Sequence, residues 1–269
     1  MGQHDKTRVP VEKAVVLSDI HIPVADNAKL ALVLRFLKTF KPDVIFLNGD
    51  IIDNYSVSRW MKHPSVSFAL QDEIAATKTF VKDLRRAHPK ARIEYVFGNH
   101  EARFEAYIVE RAPELYGYIN LDELLGLEQL DINVTRSLHK ENWLVYHNLW
   151  IGHYDKALSN AGSTALALMQ QRGVNILQGH IHRIGMTAKR FFDRTIYAYE
   201  NPCLASMDQP YVKYPNWQQG FTVIYALNGE TWVYPIAIKD RAFVFDGVLY
   251  QEDADTHTPP NKRTSSRQR

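Results

Sequence analysis

Short apolar runs alternate with amphipathic stretches along the first hundred residues, and this alternation limits the folds open to the chain. The runs 13–18, 43–47 and 92–97 predict buried strands, since each is short and rich in apolar residues. The intervening stretches 28–40 and 68–86 place apolar residues at helical spacing. A β-α-β-α-β order of this kind predicts an α/β fold in which helices pack on a sheet.

The pattern changes to shorter runs beyond Gly126. The strands predicted there are 143–146, 149–152, 174–177, 194–199, 221–227 and 232–238, the last three mainly antiparallel, with one helix near 157–171. No internal repeat or linker is evident before Gln251, so we predict one domain over residues 1–250. The last eight residues contain four basic and no acidic side chains, so we interpret 251–269 as a disordered basic tail.

Composition excludes several classes of protein. Outside the last eight residues, 28 basic side chains face 30 acidic ones, so the body is not a basic nucleic-acid-binding surface. The single cysteine, Cys203, can form neither an intramolecular disulfide nor a cysteine-based zinc site. The N-terminus mixes charges before any apolar run, and no apolar stretch is long enough to span a bilayer. We therefore expect a cytoplasmic protein without membrane contact.

Five short polar elements follow predicted strands, where α/β folds carry their chemistry. They are Asp19-Ile20-His21, Gly49-Asp50 with Asp53, Gly98-Asn99-His100-Glu101, Gly152-His153 and Gly179-His180-Ile181-His182. These elements supply oxygen and nitrogen ligands and no sulfur, which is typical of a metal site. Residues two apart in an extended segment point to the same side, so each Asp-x-His or His-x-His pair is expected to face one locus. The set is large enough for two neighbouring ions about 3.5–4 Å apart, provided that a carboxylate such as Asp50 bridges them.

Each element has a simpler interpretation when it is taken alone. A single Asp-x-His or Gly-Asp after a strand is more often a turn or a helix cap, and Gly-His is commonly just a turn. The joint occurrence of all five favours the metal interpretation. His147 lies six residues before His153 in a similar setting, and we prefer His153 because Gly152 and a strand precede it.

The order of the five elements resembles the calcineurin-like metallophosphoesterase superfamily, over roughly residues 13 to 200. The segment 201–221, with its Met-Asp-Gln-Pro and Tyr-Pro-Asn-Trp runs, is similar to bacteriophage and prophage members of that superfamily. The resemblance implies a four-layer αββα sandwich of two mixed sheets between helices. It also implies two divalent ions, manganese first, with iron, zinc or nickel as alternatives. The implied ligands are Asp19, His21, Asp50 and His182 for the first ion, and Asp50, Asn99, His153 and His180 for the second.

A chemical hypothesis follows from these ligands. A hydroxide shared by two cations would attack phosphorus, because cations depress the pKa of bound water. His100 is the candidate general acid for the leaving oxygen, and Asp53 would orient it, as an Asp at this spacing does in the resembling phosphatases. Arg103 would steady a phosphate oxygen, or it is simply an exposed salt-bridge partner on a helix. The expected activity is that of a phosphoric ester hydrolase.

Two loops bear on the substrate. The stretch 54–63 is either a substrate-stacking surface or a packed helix start, and 207–221, with Trp217, is either a lid or a rigid loop. Protein phosphatases carry Arg where this chain has Asn54, which argues against phosphoproteins. We expect a phosphodiester, nucleotide or nucleic-acid substrate. The alternatives are a phosphomonoesterase or protein phosphatase, a non-catalytic binding module on the same fold, and a nucleic-acid-binding protein that uses the tail.

Overall fold

Two mixed β-sheets lie face to face in the computed structural model, which describes residues 9–59, 68–136, 141–208 and 215–252. The strands are β1 (Glu12–Leu17), β2 (Val44–Asn48), β3 (Arg92–Val96), β4 (Ile132–Thr135), β5 (Glu141–Tyr146), β6 (Leu149–Tyr154), β7 (Asn175–Gln178), β8 (Gly185–Arg190), β9 (Thr195–Glu200), β10 (Gly220–Leu227), β11 (Glu230–Ala237), β12 (Ala242–Phe245) and β13 (Val248–Gln251). The helices are α1 (Asn27–Phe40), α2 (Leu70–Ala87), α3 (Asn99–Arg111), α4 (Leu121–Leu125) and α5 (Ser163–Arg172). Short 3₁₀ turns lie at Tyr55–Val57, Pro113–Leu115 and Glu128–Leu130.

The two sheets are described by the order and direction of their strands. The first sheet has the order β11-β10-β1-β2-β3-β4, in which β1 to β4 are parallel and β10 and β11 are antiparallel to their neighbours. The second sheet has the order β5-β6-β7-β9-β8, in which β6, β7 and β9 are parallel. The chain therefore crosses between the sheets at β4–β5 and again at β9–β10.

Side-chain alternation along β1 produces the layers. Val15 and Leu17 belong to the core that includes residues of α1 and α2, whereas Ala14 and Val16 belong to the core that the two sheets share. Because successive residues of a strand point to opposite faces, a strand buried on both faces must be apolar throughout. A third core, which includes Leu168 of α5, covers the other face of the second sheet. The expected four-layer sandwich of two mixed sheets between helices is confirmed.

Several elements differ from the sequence expectations. The sequence patterns assigned no structure to α3, α4, β4, β8 or the β12–β13 hairpin. This hairpin packs Phe243 and Tyr250 edge-to-face against Phe36 of α1. Helix α5 begins at Ser163 rather than near 157, because Gly162 takes a left-handed φ of 80°. The buried Glu200 carboxylate then accepts the N–H groups of the first turn.

The C-terminal boundary is described as far as Glu252. Its carboxylate accepts a hydrogen bond from Arg241 Nε at 3.0 Å, just after β13 ends. The predicted basic tail lies, from residue 253 onward, outside the described residues, and the division at residue 250 stays a prediction. None of the helices in the described ranges combines the length and apolar character that crossing a bilayer requires.

Candidate metal centre

The predicted ligands converge at one edge of the two facing sheets. Asp19 and His21 follow β1, Asp50 follows β2, His153 lies near the end of β6, and the two histidines of the last motif follow β7. Three groups of side chains have ligand atoms within 4.8 Å of one another: Asp19, His21 and His182; Asp50, His153 and His180; and His21, Asp50 and His100. Both aspartates are fully buried. The structure therefore brings side chains from five separate segments to a single locus.

The shorter contacts between ligand atoms lie within each group, and a longer contact joins the group around Asp19 to the group around Asp50. His182 Nε2 lies 3.1 Å from Asp19 Oδ1 and 3.2 Å from His21 Nε2. His153 Nε2 lies 3.2 Å from Asp50 Oδ2, and His21 Nε2 lies 3.9 Å from the same oxygen. Asp50 thus faces both groups.

Left-handed backbone conformation, rather than extended chain, aims these side chains. The φ angles are 53° at Asp19, 55° at His21, 53° at Asp50, 75° at His180 and 58° at His182. The expectation that residues two apart share one side of an extended segment was therefore wrong in its geometry. Asp19 and His21 do meet, but His182 joins them while His180 joins the group around Asp50.

Glycines allow the backbone to pass close to the ligand side chains. A Cβ atom at Gly49 would lie 2.3 Å from His153 Nδ1, and one at Gly98 would lie 2.3 Å from Asp50 Oδ1. Both distances are far below van der Waals contact. The glycines of the Gly-Asp and Gly-Asn-His motifs are therefore required by close approach, and at Gly49 also by a φ of 77°.

The hydrogen bonds of the imidazoles test whether these residues fit a metal. His153 Nδ1 lies 2.9 Å from the carbonyl oxygen of Asn48, which can only accept, so Nδ1 donates and Nε2 is directed at Asp50. His21 Nδ1 likewise donates to Asp53 at 2.9 Å. Each Nε2 then faces other ligand atoms across a gap that a proton or cation must fill. Backbone and carboxylate partners of this type commonly orient metal-ligating histidines, so the residues fit divalent ions.

Asn99 begins α3 beside this cluster. Its Oδ1 is buried and has no hydrogen-bond partner within the described part of the chain. The next residue, His100, donates its backbone N–H to Asp50 Oδ1 at 2.8 Å. The amide oxygen of Asn99 is therefore available as a metal ligand near Asp50, the candidate for bridging the two ions.

The pKa shifts show a site arranged around positive charge. Burial alone would raise the pKa of the Asp50 carboxyl, but the neighbouring imidazoles of His100 and His153 hold it well below its usual range. Burial opposes the charged form of His153, yet the Asp50 and Asp19 carboxylates raise its pKa to about 10. Burial and the neighbouring His153 lower the pKa of His180 to about 4. The buried carboxylates thus stay ionised and need nearby cations.

Asp53 organises the side of the site opposite His182. Its Oδ1 lies 2.9 Å from Nδ1 of both His21 and His100, and its backbone oxygen lies 2.8 Å from His100 Nδ1. Burial raises the pKa of the Asp53 carboxyl, but the hydrogen bonds from the two imidazoles outweigh burial and lower it. His100 Nε2 lies 3.7 Å from Asp50 Oδ2. Asp53 therefore contacts one predicted ligand as well as the predicted general acid.

Arg103 is neither solvent-exposed nor in a short ion pair. Its side chain is 22% exposed, and its Nη1 donates to the backbone oxygen of Asp53 at 3.0 Å.

The other candidate histidine, His147, lies in the turn between β5 and β6, where Nε2 is 2.8 Å from Glu12 Oε2. The structure thus brings His153, and not His147, into the cluster.

Several supporting residues had no role in the sequence analysis. The Glu101 carboxylate accepts the N–H groups of Asp50, Ile51 and Gly98 and the hydroxyl of Tyr95. The position of Glu101 three residues after the helix cap is a capping pattern, which could have indicated this role. Ser18 Oγ donates to Asp19 Oδ2 at 2.6 Å, in a contact between chain neighbours that no sequence pattern singles out.

A cavity of about 330 Å³ opens over the cluster. Its lining includes Tyr55, Ser58, Arg103 and Trp217 together with the histidines at 21, 100, 180 and 182. The turn at Tyr55 is packed, because the buried Glu73 carboxylate accepts its backbone N–H at 2.8 Å. Residues 60–63 of the first predicted substrate loop and 209–214 of the second lie outside the described residues.

Comparisons with known proteins agree with this arrangement. A model of the calcineurin-like phosphoesterase family matches residues 13–229. The gene 54 protein of Mycobacterium phage D29 is 27% identical over 257 residues, which cover 89% of this chain and 99% of the relative. The gene 54 protein of Mycobacterium phage L5 is 26% identical with the same coverage.

Solved structures with a similar fold include two proteins of low sequence identity. Vps29 of Chaetomium thermophilum is 13% identical, with a TM-score of 0.42, and the match covers 90% of this chain and 99% of that one. The nuclease MPE of Pseudomonas putida is 16% identical, with a TM-score of 0.38, and covers 82% of this chain and 87% of its own.

Proposed function

Because the chain belongs to the calcineurin-like phosphoesterase family, we propose that it is a metal-dependent phosphoesterase acting on phosphodiesters or nucleotides. One observation carries the proposal. Asp50 Oδ2 is a buried carboxylate oxygen within 3.9 Å of the Nε2 atoms of His21, His100 and His153. A carboxylate with imidazole nitrogens on several sides is a natural bridge between two cations.

The two proposed ion sites share Asp50. Asp19, His21 and His182 complete the first, and Asn99, His153 and His180 complete the second. Manganese is our first choice, with iron, zinc or nickel as alternatives, because oxygen and nitrogen ligands suit these ions. When bound, such ions polarise a phosphoryl oxygen and lower the pKa of water to near neutrality.

His100 is proposed to protonate the leaving oxygen. Its Nδ1 faces only acceptors at Asp53, so Nδ1 carries a proton and Nε2 is the atom that can give one to the substrate. Through these contacts Asp53 fixes the orientation of the imidazole. Arg103, anchored through one N–H group to Asp53, presents its remaining donors to the cavity, where a phosphate oxygen would lie.

The substrate class is proposed from what lines the cavity. Tyr55 and Trp217 supply aromatic rings, which favour substrates that carry a ring next to the phosphate. Asn54 is buried and donates to the backbone oxygen of His100 at 2.9 Å. At the position where protein phosphatases carry Arg, this chain therefore supports His100, which argues further against phosphoproteins.

Hydrolysis of chromogenic esters tests the proposal. Para-nitrophenyl phosphate and its bis ester should be hydrolysed with Mn²⁺ and not with chelator, and metal analysis should find two ions per chain. Asp50→Asn should lose at least 100-fold in rate, while Asp83→Asn, an exposed aspartate on α2, should keep it. Full activity of Asp50→Asn would refute the proposal. Two bound ions without hydrolysis of any ester would instead favour the non-catalytic binding module.

A further inference from the structure

Four ring systems form a row across the cavity. The Trp217 ring lies 4.3 Å from that of His182, His182 lies 5.0 Å from His21, and His21 lies 4.3 Å from His100, centroid to centroid. All contacts are edge-to-face. Trp217 therefore stands at one end of the row and the proposed proton donor at the other.

The backbone next to Trp217 is firmly held. Gln218 donates its backbone N–H to the carbonyl oxygen of His182 at 2.8 Å, and its Oε1 accepts from Ile184 N–H at 3.2 Å. Cys203 N–H in turn donates to the Gln218 carbonyl at 3.1 Å. The backbone beside Trp217 is thus fixed to the loop that carries His182. A surface that is already ordered binds a ring with less loss of conformational entropy.

The ends of the row correspond to different parts of a substrate. Hydrolysis adds water across the P–O bond: the leaving oxygen departs with a proton, and any second substituent stays on the phosphate of the product. The leaving group must lie near His100, beside Arg103, since both side chains donate to the backbone oxygen of Asp53. A phosphomonoester has only that substituent. A phosphodiester has another, on an oxygen that can extend away from His100 toward Trp217.

We propose that Trp217 determines specificity by stacking on the retained, ring-bearing substituent of a phosphodiester, such as a nucleoside. The inference rests on the proposed function and assigns a subsite within it. Tryptophan offers a large apolar face, and a base stacked on an aromatic side chain is sequence-tolerant because every base has a π-face. The substrate class is therefore a nucleoside phosphodiester, with the nucleoside kept on the product.

Two substrates that share one leaving group isolate this contact. Para-nitrophenyl thymidine 5′-phosphate retains a nucleoside, whereas methyl para-nitrophenyl phosphate retains only a methyl group. In Trp217→Leu, the ratio of kcat/KM for the thymidine ester to that for the methyl ester should fall about tenfold, the scale of one stacked base. Trp217→Phe should recover most of the ratio. Trp232→Leu, which removes a tryptophan on β11 that is 47% exposed, is the matched control and should keep the wild-type ratio.

Binding of the product provides a readout that needs no turnover. Thymidine 5′-monophosphate should quench the tryptophan fluorescence of the wild type and of Trp232→Phe, and the quenching should disappear in Trp217→Phe. An unchanged substrate ratio in Trp217→Leu, or undiminished quenching in Trp217→Phe, would overturn the inference and leave the phosphoesterase proposal standing. Failure of the wild type to hydrolyse either ester would overturn the phosphoesterase proposal itself, and the subsite with it.

Discussion

Replacing Glu101 by glutamine tests whether one buried carboxylate holds the metal cluster in place. Each carboxylate oxygen receives two close donors, and the Ile52 N–H lies at the longer distance of 3.5 Å from Oε1. Oε2 accepts from Asp50 N–H at 2.9 Å and Gly98 N–H at 2.8 Å, and Oε1 accepts from Ile51 N–H at 2.9 Å and the Tyr95 hydroxyl at 2.8 Å. Glutamine has nearly the same shape, but one of its two positions becomes an NH₂ donor, so it cannot satisfy all four groups.

The magnitude follows from counting these donors. With the NH₂ group at the Oε1 position, the Tyr95 hydroxyl can turn to accept. The close backbone donor of Ile51 is then left unpaired, and the long contact from Ile52 N–H is lost as well. The opposite orientation leaves two backbone donors unpaired and is therefore worse. An unpaired buried donor costs about 1–3 kcal/mol, and the remaining hydrogen bonds lose the strength that the carboxylate charge gave them. We expect Glu101→Gln to lower the free energy of unfolding by about 2–4 kcal/mol.

Urea denaturation in the presence of chelator measures this loss without any contribution from bound metal. Glu110→Gln, on the exposed face of the same helix, should change the free energy of unfolding by less than about 0.5 kcal/mol. Tyr95→Phe, which removes one donor and leaves the carboxylate, should cost about 1 kcal/mol. A decrease of less than about 0.5 kcal/mol in the free energy of unfolding of Glu101→Gln would refute the reasoning, since an unpaired buried donor costs more than that.

Three further predictions concern the turn, the helix cap and the ions. Gly49→Ala should lower the free energy of unfolding by several kcal/mol more than Gly117→Ala. Gly117 has a similar φ of 81°, but no atom lies within 4 Å of a Cβ added there. Equal losses of the two variants in urea denaturation would contradict this prediction. Asp26 caps α1, and although burial raises its pKa, hydrogen bonds and the charge of Lys29 lower it overall. Its stabilisation is therefore present above its unfolded pKa and lost in acid, so Asp26→Ala should cost about 1 kcal/mol at pH 7 and less at pH 3. Mn²⁺ should raise the melting temperature. Its apparent affinity, measured by calorimetry, should increase from pH 6 to 9, because the ion must displace a proton from His153, whose pKa is about 10. An affinity that does not change with pH would refute this prediction.

Local patterns sufficed for the elements that position the ligands. The runs that became β1, β2 and β3 are rich in apolar residues, and the polar motifs directly follow them, so both could be recognised without knowledge of the fold. These features depend on residues close together in the chain.

Features that depend on distant segments were not predicted. The start of α5 depends not only on Gly162 but also on the Glu200 carboxylate, which accepts the N–H of Thr164 from 36 residues away. The assignment of His180 and His182 to different groups depends on left-handed turns, which the spacing of two residues does not reveal. Strand β8 is mostly exposed at the edge of its sheet and combines small, polar and charged residues, so it lacks the alternation by which strands are recognised.

The left-handed turns at the ligands have a consequence for protein engineering. Asp19, His21, Asp50, His180 and His182 each hold a conformation that costs a non-glycine residue about 1 kcal/mol. A library selected only for thermal stability would therefore enrich glycine or asparagine at these positions, and the selected variants would lack the predicted metal ligands. Any directed-evolution campaign on this scaffold should couple its thermal selection to metal content.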